Sequence, residues 1–334
     1  MGTVCVLGGG SFGTALADLL ARQGLTVHQW LRDASRAEEM RRTRRNPEHL
    51  SELEVHAGIE PTADLTHALA GVDWVLMAIP SPAVRSVLEA VRPLLAPIPL
   101  MLATKGIEND TLMTMHEVAL DVLGPSWAHR LLALSGPSFA REVMLGYQTA
   151  VVIASQDAQL ADWACRLMFT DAFRPYSSTD IIGVEMGGAL KNVMAIAAGA
   201  ITGLKLGDNT RAALITRGLA EITRLAVAKG AHPMTLAGLA GVGDLVLTCT
   251  GALSRNRRIG QLLGEGKSLT DAIAEVKEVA EGVRTTKSAY ALAQKLGVDA
   301  PITSAIYNVI YGDLEAREAL LGLSRRELKR EREY

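Results

Sequence analysis

Short apolar and β-branched runs alternate with longer amphipathic stretches through the first half of the chain, and only the amphipathic kind continues into the second half. TVCVL leads through GGGSFG into a helix whose apolar face ends near Gly24. TVHQWL, VDWVLMAIPS, PLMLATKG and LLALSGPS each read as a strand, with helices expected from Ala83, around Leu112 to Leu123, and after the SGPS turn. TAVVIAS and AFRPYS read as two further strands that close the domain near Ser178. Strand, loop and helix in regular alternation predict a parallel, doubly wound sheet, with ligands beyond the carboxyl ends of its strands.

Beyond Ser178 the strand signal disappears. Met186, Leu190, Val193 and Ala197 recur at helical spacing, and RAALITRGLAEITRLAVAKG is a second amphipathic helix that GDN at Gly207 to Asn209 introduces. SRNRRIGQLLGEG, TDAIAEV, TTKSAYALAQKLG and SAIYNVIYG read as further helices, and the charged end SRRELKREREY as a frayed helix or tail. The expected organisation is a dinucleotide-binding, Rossmann-like α/β domain over 1–178 and an all-α domain over 179–334.

A length of 334 residues agrees with two domains rather than one core. With 21% charged residues and a formal net charge of -2, the chain lacks a general electrostatic case for nucleic acid or an anionic membrane. No apolar run is expected to reach spanning length, because Gly, Asp or Lys interrupts each one. The N-terminus reads as a strand rather than a signal peptide. Three scattered cysteines (Cys5, Cys165, Cys249) read as reduced cytosolic thiols, and the histidines and cysteines show no metal-ligand spacing.

Candidate chemistry lies at the strand ends and on the helices. Gly8, Gly10 and Gly13 have G-x-G-x-x-G spacing between a strand and a helix, which suits a tight turn, a pyrophosphate approaching the backbone, and close helix packing. The alternative is a glycine-rich turn that serves packing alone. Arg32 and Asp33 end the second strand, where an acid would accept from a ribose 2′-hydroxyl and an Arg would meet a 2′-phosphate; the pair leans towards NADP, with a plain surface charge as the other reading. Arg41 to Arg45 form a basic run read as solvated surface rather than an anion site. Lys105 is a cation at a strand's carboxyl end, read as a ligand contact.

GVEMGGALKNVMAIAAGA has the composition of a buried helix, yet it holds Lys191 and Asn192 at its centre. Either Lys191 borders a cleft, where lost hydration lowers its pKa towards neutrality, or it snorkels out or pairs with a buried acid. Gly187, Gly188 and Ala189 leave room for another group beside it. Asn192 either orients a substrate hydroxyl or satisfies a backbone group. Asp244, a lone acid in GLAGVGDLVLTCTG, suits orienting a lysine or a hydroxyl, with helix capping as the alternative. Ser254, Arg255 and Asn256 at a helix start would make a phosphate clamp, with Arg257 and Arg258 as a solvated basic turn.

GGGSFGTALA, LATKGIE, LSGPSFAREV, GGALKNVMAIAAG, LGDNTRAALITRGLAEITRL, GLAGVGDLVLTCTGALSRNRR and VAEGVRTTK run from the first strand to about Pro301, and together they resemble the bacterial NAD(P)-dependent glycerol-3-phosphate dehydrogenase family. The resemblance implies a cytoplasmic enzyme that reversibly reduces dihydroxyacetone phosphate to sn-glycerol 3-phosphate for glycerophospholipid synthesis, with NADP or NAD as cofactor and a homodimeric habit. It implies Lys191 as general acid/base, and Lys105, Gly136, Ser138, Asp244, Ser254, Arg255 and Asn256 at the substrate. It carries Ser11, Phe12, Arg32, Lys105, Ala140, Arg255, Val279 and Glu281 to the cofactor; Val279 and Glu281 have no other reason. The position of Phe12 is often Trp or Tyr in that family, so stacking is kept and a donor is lost. The expected mechanism places the nicotinamide across the strand ends and lets Lys191 donate to the keto oxygen as hydride arrives. Two rival readings are a related Rossmann dehydrogenase acting on a β-hydroxy acid, whose clamp would face a carboxylate, and a non-catalytic NADPH sensor.

Overall fold

The structure is a computed structural model that describes residues 2–276 and 280–327. The chain forms two compact units, the first taking the chain up to Thr104 and Met115–Ile181, the second taking Lys105–Thr114 and the chain from Ile182 onward. A single cut at residue 178 therefore misassigns one segment. Ile107 is buried in the core of the helical unit, Leu112 packs against that core, and an antiparallel bridge from Ile107 to Thr114 closes the excursion.

In the first unit, β1 (Thr3–Leu7), β2 (Thr26–Trp30), β3 (Ile59–Thr62), β4 (Trp74–Met77), β5 (Leu100–Leu102), β6 (Leu131–Ser135), β7 (Thr149–Ala154) and β8 (Phe173–Ser178) form one sheet in the order β3-β2-β1-β4-β5-β6-β7-β8. The helices are α1 (Ser11–Arg22), α2 (Ala34–Thr43), α3 (Leu65–Leu69), α4 (Val84–Val91), α5 (Met115–Leu123), α6 (Ala140–Met144) and α7 (Ala158–Met168). The Rossmann-like architecture agrees with the expectation, with two differences. β6 and β7 pair antiparallel, because only the five-residue α6 separates them, whereas α7 makes the crossover that keeps β8 parallel to β7. β3 left no strand signature, since Glu60 and Pro61 fill its centre; it lies at the sheet edge, where a residue without an N–H forfeits least.

The basic run belongs to this edge. Arg41 donates to the Pro61 carbonyl at 2.6 Å, Arg44 to that of Ile59 at 3.3 Å, and Arg45 to those of Ser51 and Glu52 at 3.2 and 2.6 Å. Arg41, Arg42 and Arg45 are exposed, as the surface reading expects, and the guanidiniums of Arg41, Arg44 and Arg45 also tie α2 and the following loop to backbone carbonyls.

The second unit contains α8 (Ile181–Gly203), α9 (Gly207–Ala228), α10 (Pro233–Leu236), α11 (Asp244–Thr250), α12 (Arg255–Gly264), α13 (Leu269–Val276), α14 (Glu281–Leu296), α15 (Pro301–Tyr311) and α16 (Ala316–Ser324). α8 presents apolar residues all round, with Glu185, Lys191 and Asn192 as buried polar exceptions, as suits a helix central to a core. By length and composition two helical stretches, Ile181–Gly203 and Pro233–Thr250, suffice to cross a membrane, which corrects the expectation that none would. Isolated charges such as Lys191 barely lower the mean hydropathy of a long window; here 94% of the first stretch's apolar window is buried inside the protein.

α8 and α12 approach closely because both present glycines four residues apart. A Cβ on Gly199 would lie 1.9 Å from the Arg257 carbonyl oxygen, and one on Gly260 would lie 1.8 Å from that of Ile196. Gly203 and Gly264 repeat the approach one turn further on. Backbone thus meets backbone, and the start of α12 is held against the helix that carries Lys191. Gly260→Ala should force the helices apart and cost about 1–3 kcal/mol, read as a lower thermal midpoint, whereas Gly322→Ala, where a Cβ meets nothing within 4 Å, should leave the midpoint almost unchanged.

Candidate active site

Lys191 lies at the middle of α8 and is only 7% exposed. Its room comes from Gly187, one turn earlier, where a Cβ would lie 2.4 Å from the Ala240 carbonyl oxygen. The space at Gly187 is thus filled by the protein's own backbone, a π-helical turn over Leu239–Gly243, rather than by an incoming group. That turn delivers Asp244, the first residue of α11, to the lysine.

The Asp244 carboxylate is 1% exposed and bridges two cations. One oxygen accepts from Lys191 Nζ, the other from Lys105 Nζ at 2.7 Å. The Thr248 hydroxyl donates to the Asp244 carbonyl at 2.6 Å, one turn along α11. Gly243, not Asp244, precedes the helix, so the capping alternative for Asp244 falls away. Sequence reasoning passed over Thr248, although its spacing of four from Asp244 was a usable signal.

The electrostatics follow from burial. Desolvation pushes the Lys191 amine down to about 8; attraction to Asp244 opposes this and repulsion from Lys105 adds to it. Burial raises the Asp244 carboxyl, but the Lys105 and Lys191 ammoniums outweigh it and hold the group below the ordinary carboxylate range. Glu281, at the start of α14, is raised by desolvation and pulled down by Arg255, Lys105 and Lys191, which places it in the field of the same cations. Such a cluster keeps one amine close to its proton-exchange point near neutral pH.

At the start of α12, Ser254 is the N-cap and its oxygen accepts from Arg257 N–H at 3.2 Å. Arg255 is exposed, while Asn256 is buried. Asn256 Nδ2 donates to Asn192 Oδ1 at 3.0 Å, and Asn256 Oδ1 accepts from Gly282 N–H at 2.9 Å. Arg257 donates to the Gly251 carbonyl at 3.0 Å and Arg258 pairs with Glu275 at 2.5 Å, so both are engaged within the protein. The second unit therefore gathers Lys105, Lys191, Asp244 and Glu281, with Ser254, Arg255 and Asn256 on the helix packed against α8.

The remaining described candidates lie in the first unit. Gly8 has φ +140°, and a Cβ there would sit 2.3 Å from the Ala78 carbonyl oxygen beyond β4; one on Gly13 would sit 2.4 Å from the Gly8 carbonyl oxygen. Packing accounts for both. At Gly10, the N-cap of α1, a Cβ would meet nothing within 4 Å, and no side chain caps the helix. The loop thus fits a dinucleotide pyrophosphate, for which Gly10 leaves the helix N–H groups open to approach. Gln29 Nε2 donates to the Gly8 carbonyl at 3.0 Å, and Asn46 Nδ2 to the Gly9 carbonyl at 2.8 Å; both also reach Thr14 Oγ. These buried braces escaped sequence reasoning, because their partners are backbone atoms far along the chain.

Ser11 Oγ lies 3.5 Å from His49 Nδ1, and Phe12 packs partly buried against the sheet core. Arg32 is exposed, whereas one oxygen of Asp33 accepts from Ser35 N–H and Oγ and from Arg36 N–H, capping α2. Gly136, at φ +135°, lies against β7, where a Cβ would be 2.9 Å from Val151 Cα. Ser138 donates to the Gly136 carbonyl at 3.0 Å, and Ala140 opens α6. Val279 lies outside the described residues.

Two family models match the chain, NAD-dependent glycerol-3-phosphate dehydrogenase N-terminus over residues 3–161 and C-terminus over residues 180–321. A relative from Geobacter sulfurreducens, glycerol-3-phosphate dehydrogenase [NAD(P)+], is 54% identical over 98% of both chains. Another of that name from Anaeromyxobacter dehalogenans is 51% identical, again over 98% of both. The crystal structure of glycerol-3-phosphate dehydrogenase from Coxiella burnetii superposes with a TM-score of 0.93 at 39% identity, covering 97% of this chain and 99% of that one.

Asp244→Asn should leave the buried Lys191 and the half-buried Lys105 facing each other without the carboxylate that bridges them. We expect a lower stability, by roughly 3–5 kcal/mol, and a Lys191 amine that gives up its proton below about pH 8. Chemical denaturation reads the first and the pH titration of ε-13C-labelled lysine reads the second.

Proposed function

This chain belongs to the NAD-dependent glycerol-3-phosphate dehydrogenase family, and from that premise we propose that it reversibly reduces dihydroxyacetone phosphate to sn-glycerol 3-phosphate with NADPH or NADH. We place the reaction in the cytoplasm, in a homodimer, supplying glycerophospholipid synthesis. The observation that carries the chemistry is the buried Lys191 amine, paired through Asp244 with Lys105 and tuned to about 8.

The nicotinamide supplies the hydride when bound. Lys191, as the ammonium, donates its proton to the keto oxygen while negative charge develops there, which lowers the barrier in a site that excludes water. Asp244 keeps the Nζ hydrogens oriented, and its second oxygen keeps Lys105 in place beside the substrate. Arg255, Ser254 and Asn256 hold the phosphate, so that binding energy remote from the reacting carbon positions it. Gly136 and Ser138 complete the substrate set. Gly8, Gly10, Gly13, Ser11 and Phe12 hold the dinucleotide with Ala140, Lys105, Arg255, Val279 and Glu281, and Arg32 meets a 2′-phosphate, which underlies acceptance of NADP.

Lys191→Ala should lower turnover by about 10²–10⁴ and leave NADPH affinity intact; near-normal turnover would remove the proton-donor role. Ketone reduction needs the ammonium, so its kcat should be level below pH about 8 and fall above it, while alcohol oxidation, which needs the free amine, should rise through the same region. The primary assay is NADPH and NADH oxidation with dihydroxyacetone phosphate, with β-hydroxy acids as competitors in the reverse direction. Turnover on the hydroxy acids alone, or NADPH binding without turnover, would refute the assignment.

A further inference from the structure

Asn192 and Asn256 are buried carboxamides at the centre of the helical unit, and their hydrogen bonds join three helices. Asn192 follows Lys191 on α8. Asn256 is the second residue of α12. Gly282 is the second residue of α14, directly after Glu281. Ala280, which precedes α14, has no side-chain group to cap it, and Asn256 Oδ1 accepts the Gly282 N–H in its place. A Cβ on Gly282 would lie 2.7 Å from both the Asn192 carbonyl oxygen and Asn256 Oδ1, so the three residues are in contact at a distance only glycine allows. The Thr286 hydroxyl, donating to the Gly282 carbonyl at 2.7 Å, holds the same turn from within α14.

The Asn256 amide therefore spends its oxygen on Gly282 and one N–H on Asn192. This leaves at most one N–H for a ligand. We propose that Asn192 and Asn256 are positioning residues: their amide–amide hydrogen bond, continued to the Gly282 N–H, latches α12 and the first turn of α14 to the helix bearing Lys191, and so sets Arg255 and Glu281 relative to the amine. The inference rests on the reading of Lys191 as proton donor and gives Asn256 a role beyond holding phosphate. A displacement of reacting groups by about 1 Å costs on the order of a hundredfold in rate, so a loose latch acts on kcat.

The test is a double-mutant cycle of Asn192→Leu, Asn256→Leu and the pair, with kcat and KM for dihydroxyacetone phosphate, NADPH affinity and thermal midpoint measured for each. Leucine has the same branched heavy-atom skeleton as asparagine and removes the hydrogen bonds. We expect each single variant to lose about 10- to 100-fold in kcat, measured well below its own midpoint, and the double variant to lose no more than the worse single one. NADPH affinity should weaken in the same variants, because the latch also sets Arg255 and Glu281, which hold the dinucleotide, and the double variant should again lose no more than the worse single one. Gly282→Ala, which leaves both amides present but pushes them apart, should reproduce the loss in kcat.

Multiplied losses in the double variant would overturn the latch. So would an Asn192→Leu variant with wild-type kcat beside an Asn256→Leu variant changed only in KM, since that is the signature of a plain phosphate contact. A fall in thermal midpoint with unchanged kcat would show a structural role alone and overturn it too. Should the leucine variants not fold, the cycle is run with serine at both positions and read by the same criteria. Failure of the wild-type protein to turn over dihydroxyacetone phosphate would instead overturn the functional reading, so the two failures are distinct.

Discussion

The ion pair between Lys191 and Asp244 is the constraint on which the helical unit is organised. Two charged groups removed from water cost several kcal/mol each unless they meet in good geometry. Asp244 meets both Lys191 and Lys105, so a single carboxylate offsets the burial of two cations. The compensation is incomplete for Lys191, whose amine remains shifted down to about 8. That residual cost is what gives the amine a proton to exchange near neutral pH.

Several local features exist to make this pair possible. The π-helical turn before α11 sits against Gly187 and brings Asp244 to the lysine. The Ile107–Thr114 bridge closes the excursion that carries Lys105 into the same unit. Glycines on α8 and α12 let backbones touch, which holds Ser254, Arg255 and Asn256 on a helix in contact with the one that bears the amine. Buried acids elsewhere are used differently: Glu221 on α9 accepts from Ile302 N–H, Thr303 N–H and the Thr303 hydroxyl, and so serves to cap α15.

The first unit obeys another logic, in which backbone geometry rather than charge defines the site. Gly8 and Gly13 are glycines because the protein's own carbonyl oxygens occupy the space of a Cβ, while Gly10 is free of that reason. Gln29 and Asn46 brace the loop from beneath by donating to the Gly8 and Gly9 carbonyls, and both also donate to the Thr14 hydroxyl oxygen. Only at Gly10 does the bend at the end of β1 face open space rather than protein.

Periodicity along the chain encodes how deeply each position is buried, and this was enough to read the Rossmann-like sheet, the helical second half, the glycine loop, and Lys191, Lys105, Asp244 and Arg255 as the residues of interest. It was not enough for β3, whose Glu60 and Pro61 suit an edge and leave no pattern, nor for the reversed pairing of β7 on β6. Which partner a buried polar group finds was likewise beyond it. The π turn filling the space beside Gly187, the Asn192–Asn256–Gly282 chain and the transfer of Lys105–Thr114 to the helical unit all join residues far apart in sequence. Local pattern records that a group is removed from water; which backbone or side chain lies opposite is decided by long-range packing, and only the tertiary structure contains it.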